Sequence, residues 1–196
     1  MVVRVCVSLR AGTGSEKFSK DKIVQITEAL LSEPVDIRRF IQQAVDHWPR
    51  LLAVHFTLHS AEGNIDERQI HAFRTSLYHQ LNRYVAECCH TASPAAAVVL
   101  RWLWENTEST RIRCLLLISQ DLMCSPGSGM TADDADSHLV ALLQQACTTL
   151  TPEGHCTVAC CYRVVRAATP EGAESFTAFR NACLSLARPV MAGIIR

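Results

Sequence analysis

No stretch of this sequence approaches the roughly 18 apolar residues that span a bilayer, so a transmembrane helix is not expected. The opening Met-Val-Val-Arg-Val-Cys-Val-Ser-Leu alternates, and it lacks the apolar core and small-residue cleavage site of a signal peptide. Excess charge of one sign is also missing. Lys and Arg number 19 and Asp and Glu number 19. Affinity for nucleic acid driven by overall charge is therefore not expected, and any phosphate site must be local. Lysine is confined to Lys17, Lys20 and Lys22, so the cations are overwhelmingly arginine. The chain shows no internal repeat and no heptad array. These absences point to a cytoplasmic protein with no membrane partner.

What is present is globular. The chain has 196 residues, 48% of them apolar and 19% charged. That is one domain's worth of chain, long enough to bury a sizeable core. Ten cysteines are many, but a secreted disulfide scaffold is usually smaller and denser in cysteine. Most of them fall on apolar phases of the expected helices and strands, where cysteine serves as a small buried hydrophobe.

Val3, Val5, Val7 and Leu9 alternate with polar residues and read as a strand. A Gly/Ser/Lys loop follows over residues 11–20, then two short helices near 21–31 and 36–48. Residues 1–49 are thus expected to be an N-terminal extension of a strand and two helices. Residues 51–59 read as a strand, with Val54, Phe56 and Leu58 facing one way and His55, Thr57 and His59 the other. After a turn at residues 60–63, a long helix is expected from about Ile65 to Cys88. Asn64 is its expected cap, and Ile70, Phe73, Leu77, Leu81, Tyr84, Val85 and Cys88 form its apolar stripe. Residues 96–105 and 111–119 read as an antiparallel hairpin. A helix over 134–150, a strand over 156–166 and a last helix opened by Thr169-Pro170 complete the chain. Pro189 ends that last helix.

From residue 51 the order is β-α-β-β-α-β followed by α. It defines an α/β (α+β) fold, a ferredoxin-like or palm-type antiparallel sheet with helices on one face, carried by residues 50–196.

Four strings carry a resemblance within that order: Trp48-Pro-Arg-Leu-Leu-Ala-Val-His-Phe-Thr-Leu-His59; Leu100-Arg-Trp-Leu-Trp-Glu105; Arg111-Ile-Arg-Cys-Leu-Leu-Leu-Ile-Ser119; and Tyr162-Arg-Val-Val-Arg166 with the final helix. In pattern and order they resemble the YagK/YfjJ C-terminal domain family. That family is related to the replication proteins of filamentous phages and occurs on bacterial mobile elements. The resemblance implies the palm of a rolling-circle initiator. In such a palm two histidines separated by one residue hold a divalent metal, and a helix-borne tyrosine attacks a DNA phosphate. This sequence departs from that pattern at each point. Arg111-Ile112-Arg113 stands where His-x-His is expected, His55-Phe56-Thr57 where the family has Arg-x-Asp, and Ser185 where the tyrosine would be. Arginine stays cationic and is no ordinary metal ligand. The implied protein keeps the fold and has lost metal-dependent nicking, with no catalytic residue, metal or cofactor.

Arg111 and Arg113 share one strand face about 6.6–7 Å apart. They could grip phosphate bidentately, or simply solvate the start of a strand. Arg101 on the neighbouring strand could extend such a patch. Trp102 and Trp104 share a face and could stack on bases, although core burial suits their apolar neighbours better. His55 and His59 lie ~13 Å apart on one strand, too far to ligate one metal. Cys88-Cys89-His90 and the Cys156, Cys160 and Cys161 group lack the paired knuckles of structural zinc. Gly12-Thr-Gly14 lacks the third glycine of a dinucleotide fingerprint.

The function this implies is that of a catalytically degenerate, replication-initiator-like protein of a phage or mobile element. It would bind single-stranded or hairpin DNA, or a replication or host protein, without nicking. Two alternatives remain open at this point. One is a small protein-interaction factor on the same fold. The other is a metal-dependent nicking enzyme whose ligands are displaced onto His55, His59 and a tyrosine.

Overall fold

The computed structural model describes residues 3–5, 25–61, 63–88, 98–105, 109–123, 131–150, 153–166 and 170–196. Among these residues the strands are β1 (Val3–Val5), β2 (Ile26–Leu31), β3 (Arg50–His59), β4 (Leu100–Glu105), β5 (Arg111–Ser119), β6 (His155–Val165) and β7 (Val190–Ile195). The helices are α1 (Pro34–His47), α2 (Glu67–Cys88), α3 (Ala132–Cys147) and α4 (Pro170–Leu184). The strands form one sheet in the order β1-β2-β7-β4-β5-β3-β6, and each neighbouring pair is antiparallel.

The segment from β3 to β6 runs β-α-β-β-α-β and contributes the four strands β4-β5-β3-β6. That is the split βαβ arrangement its order implied. The expected hairpin is present as the antiparallel β4–β5 pair, with Arg101 opposite Leu117 and Trp104 opposite Cys114.

Helices cover both faces of the sheet, not one. α2 and α3 pack on the face of Val54, Phe56, Leu58, Trp102 and Leu116. α1 and α4 pack on the other, against Leu51, Ala53, Leu103, Leu115 and Leu117. The reason lies in the strands. Leu115-Leu-Leu-Ile118 on β5 and the pair Leu51-Leu52 on β3 put apolar side chains on both faces in succession, and all of these residues are at most 1% exposed. Such a run demands cover on both sides, since an exposed Leu forfeits roughly 1.5–3 kcal/mol of burial.

Two further differences sit at the sheet's other edge. Residues 26–31, expected in a helix, form β2. The Ile26, Leu30 and Leu31 spacing suits a helix, but the backbone pairs with β7 in register from Ile26–Ile195 to Leu31–Val190. β7 itself follows the last helix, which ends at Leu184, ahead of Pro189. The extension at residues 1–49 therefore places β1 and β2 in the same sheet as the rest. Arg74 of α2, 2% exposed, fastens this edge. It donates to Glu28 of β2 and lies 4.4 Å over the Trp104 ring. A Cβ on Gly193 of β7 would come within 3.3 Å of both Arg74 Nη1 and Trp104, so this close approach suits glycine.

Helix α2 starts later than expected. Asp66, rather than Asn64, caps it: its carboxylate accepts from the Gln69 N–H at 2.7 Å, and Gln69 Oε1 accepts from the Asp66 N–H at 2.9 Å. Ile65 instead bridges to Ser109. α3 opens on a capping box between Thr131 and Asp134. The turn after β3 contains Gly63 at φ +112°, a conformation that favours glycine.

Candidate functional site

The cover on the α1/α4 face stops at the same level on three adjacent strands. Along β3, Leu51 and Ala53 are buried, and the next residues on that face, His55, Thr57 and His59, are half-buried. Along β5, Leu117 and Leu115 are buried, then Arg113 is half-buried and Arg111 exposed. Along β6, Val164 is buried and Tyr162 half-buried, and Cys160, Thr157 and His155 are exposed. The result is an open, polar end to an otherwise covered sheet face.

Register brings these residues together across the strands. His59 stands opposite Arg111 on one side and His155 on the other. Thr57 stands opposite Arg113 and Thr157. The register shift at His55/Phe56 leaves Ala159 unpaired and sets Cys160 opposite His55. This bulge keeps Cys160 on the same face as Thr157 and His155 despite the change of parity. The His59 and His155 rings stack in parallel with centroids 4.5 Å apart. His59 Nε2 and Thr157 Oγ1 share a hydrogen bond at 3.2 Å.

The two arginines differ in their partners. Arg113 donates to Glu105 at the end of β4 and, at 3.0 Å, to the Ser185 carbonyl at the end of α4. Glu105 also accepts from the Ala187 N–H at 2.7 Å. One buried carboxylate thus ties β4, β5 and the α4–β7 connection together. Arg111 is exposed, and its backbone N–H is bonded to Ser109 Oγ. The Ser185 hydroxyl donates to Ala182 O at 2.8 Å. The positions at which the resemblance expects metal ligands and nucleophile, 113 and 185, therefore lie in contact.

The His55 and His59 imidazoles are held towards their neutral forms. Burial lowers the His55 pKa, Arg113 lowers it further, and Glu105 opposes both. For His59 burial comes first, then His155 and Arg111. The open end thus combines guanidinium charge with the His55 and His59 rings and with hydroxyls that can donate hydrogen bonds.

Arg101 is not part of this patch. It lies on the same sheet face but at the covered end, 8% exposed, with Leu103 between it and Glu105. Its guanidinium sits 5.7 Å from the Phe40 ring centroid and 5.6 Å from that of Trp48. Burial and then the Arg196 charge lower its pKa. Trp102 and Trp104 are core residues under α2, with Trp102 edge-on to Phe73 at 6.0 Å. No motif in the sequence marks His155, Thr157 or Glu105. His155 and Thr157 join the site through strand register and Glu105 through its ion pair with Arg113, neither of which a local pattern reveals.

Cys114, Cys147 and Cys183 are buried, whereas Cys160 is exposed. Among the described residues no group of three His, Cys, Asp or Glu side chains is placed to hold a metal ion, and no helix is long and apolar enough to cross a membrane. Cys89, His90, Gly12 and Gly14 lie outside the described residues, as do the side chain of Cys88 and the loop over 124–130.

The chain belongs to the family described as "Uncharacterised conserved protein UCP030791", whose model matches residues 24–163. The match runs from β2 to β6 and so includes the Arg111, Arg113, His55, Thr57 and His59 positions. No curated protein and no solved structure matches the chain.

Proposed function

We propose that the protein binds the phosphate backbone of single-stranded or hairpin DNA on the open end of its sheet, without cutting it, as a replication-initiator-like palm of a phage or mobile element. The observation that carries this reading is the ladder itself. Arg111 and Arg113 project from one strand face about 6.6–7 Å apart, flanked by His59, His155, Thr57 and Thr157 on the strands alongside. Phosphate contacts from Arg, hydroxyl and ring N–H donors position a nucleic acid without reading its sequence.

Two further features support it. The β4-β5-β3-β6 order is the one a palm-type sheet would have, and position 185 lies against position 113. Arginine in place of the expected His-x-His removes the neutral ligands that metal-dependent nicking uses, so the reading is of binding alone.

The test is fluorescence anisotropy with a single-stranded oligonucleotide and a hairpin across a salt series. Binding is expected at low salt, weakening with a log–log slope of about −0.7 per phosphate contacted, with a marked loss for the Arg111→Ala/Arg113→Ala variant. No binding at low salt, or unchanged binding by that variant, rejects DNA as the ligand. Recovery of a specific protein without nucleic acid would then favour the protein-interaction alternative. A metal-dependent covalent protein–DNA adduct would reinstate the nicking enzyme.

A further inference from the structure

On the opposite face of the sheet, thiols converge under the end of α3. Cys147 is the last residue of α3 and is fully buried. Cys156, near the start of β6, is half-buried and packs against the same core cluster. Gln144, one turn before Cys147 on α3, holds the two elements in place: its Oε1 accepts from the Cys156 N–H at 3.2 Å and from the Cys156 thiol at 3.6 Å. Both thiols therefore belong to the contact between the end of α3 and the start of β6. Hydrogen bonding towards the other thiol, the largest influence on each, pushes Cys147 up and holds Cys156 below the ordinary thiol value. Cys114, buried on β5 nearby, is pushed up chiefly by burial.

We propose that Cys147 and Cys156 are an oxidisable pair that closes a reversible disulfide between the end of α3 and the start of β6. Cys156 reacts first, because it is the partly exposed member and a thiolate is the nucleophile. With a peroxide as oxidant, the Cys156 thiolate attacks one peroxide oxygen, the O–O bond breaks and hydroxide leaves. The sulfur is oxidised to a sulfenic acid as the peroxide is reduced. Cys147 gives its proton to hydroxide, and its sulfur attacks the sulfenic sulfur. The S–S bond forms, the S–O bond breaks and the oxygen leaves as hydroxide. The net change consumes one peroxide, one thiolate and one thiol, and yields the disulfide, water and hydroxide. Exposed Cys160 lies on the other face of β6, so it has no access to this pair. The staple would fix the segment of β6 that presents His155 and Thr157 to the open end.

The reduced full chain is treated with hydrogen peroxide, blocked with iodoacetamide and mapped without reduction. Cleavage after Glu153 separates the two cysteines, and tandem mass spectrometry assigns the link. The expected result is a Cys147–Cys156 cross-link, a mass lower by about 2 Da and restored by dithiothreitol. Titratable thiols in the denatured chain should fall from ten to about eight. Cys156→Ser should abolish the link and Cys160→Ser should leave it. A folded wild-type chain that oxidises at Cys160 with no such cross-link, or that links other cysteines or two chains, overturns the proposal. The readout needs no nucleic acid, so its outcome is separate from that of the DNA-binding reading.

Discussion

On β5, Leu115 is fully buried, whereas Arg113, the preceding residue on the same face, keeps 40% of its side chain in solvent. Ala53 and His55 on β3 show the same step, as do Val164 and Tyr162 on β6. One sheet face thus has two ends with different chemistry. The end under α1 and α4 is an apolar core of Leu103, Leu115, Leu117 and Phe179. The open end is a ladder of arginine, histidine and threonine. The strands are continuous through the step, so the difference comes from what covers them. Among the described residues, the side chains that a helix covers are aliphatic apart from the buried Arg101, and those beyond the helices are mostly polar.

That contrast can be broken by mutation, and the largest effect should fall at the covered end. Leu115→Ala should cost about 2–5 kcal/mol of stability in urea unfolding, from lost burial and the cavity left behind. Thr57→Ala, four residues past Ala53 on the same face, should change stability by less than about 0.5 kcal/mol. Equal costs would mean that the open end is as structural as the core.

Next in size is the boundary. Glu105→Ala removes the acceptor of the Ala187 N–H and the partner of Arg113. It should destabilise by about 1–3 kcal/mol, towards the lower figure because Arg113 is partly solvated. Glu105→Gln keeps an acceptor for Ala187 and should cost less. An Ala variant as stable as wild type would show that the carboxylate does not hold the α4–β7 connection.

Arg111→Ala should leave stability unchanged and weaken oligonucleotide binding about five- to tenfold at low salt, roughly 1–1.4 kcal/mol. The log–log salt slope should shrink by about 0.7. The smallest effect concerns pH. Burial and neighbouring cations lower the His55 and His59 pKa values in the free protein, whereas a bound anion favours the imidazolium. Affinity should therefore be flat above neutrality and rise as the pH falls below the ordinary histidine value of about 6.5. Asn in place of His59 should flatten that rise in the same anisotropy titration.

Much of this architecture is legible in single segments. The alternation of Val54, Phe56 and Leu58 with His55, Thr57 and His59 assigns β3 its two faces, and the stripe from Ile70 to Val85 assigns α2. The antiparallel α+β sheet follows from the order of the elements. Three features lie beyond local pattern. Ile26–Leu31 carries a spacing that suits a helix as well as a strand, and its pairing with β7, at the far end of the chain, decides the matter. Leu115-Leu-Leu-Ile118 signals burial on both faces, but not which helix supplies the second cover. Arg101 shares a face with Arg113, and alternation alone cannot show that α1 lies over the first and not the second. The site has the same character. Its β3 and β5 residues stand out by type and parity, whereas His155 and Glu105 enter through register and an ion pair across strands.

The binding surface we propose is the open end of the sheet. The most direct measurement is a backbone amide chemical-shift map of the full chain titrated with a single-stranded oligonucleotide. Perturbations should concentrate at His55, Thr57, His59, Arg111, Arg113, His155 and Thr157, with Leu51, Leu115 and Leu117 unmoved. Shifts spread over the outer surfaces of the helices, or none at saturating oligonucleotide, would contradict it.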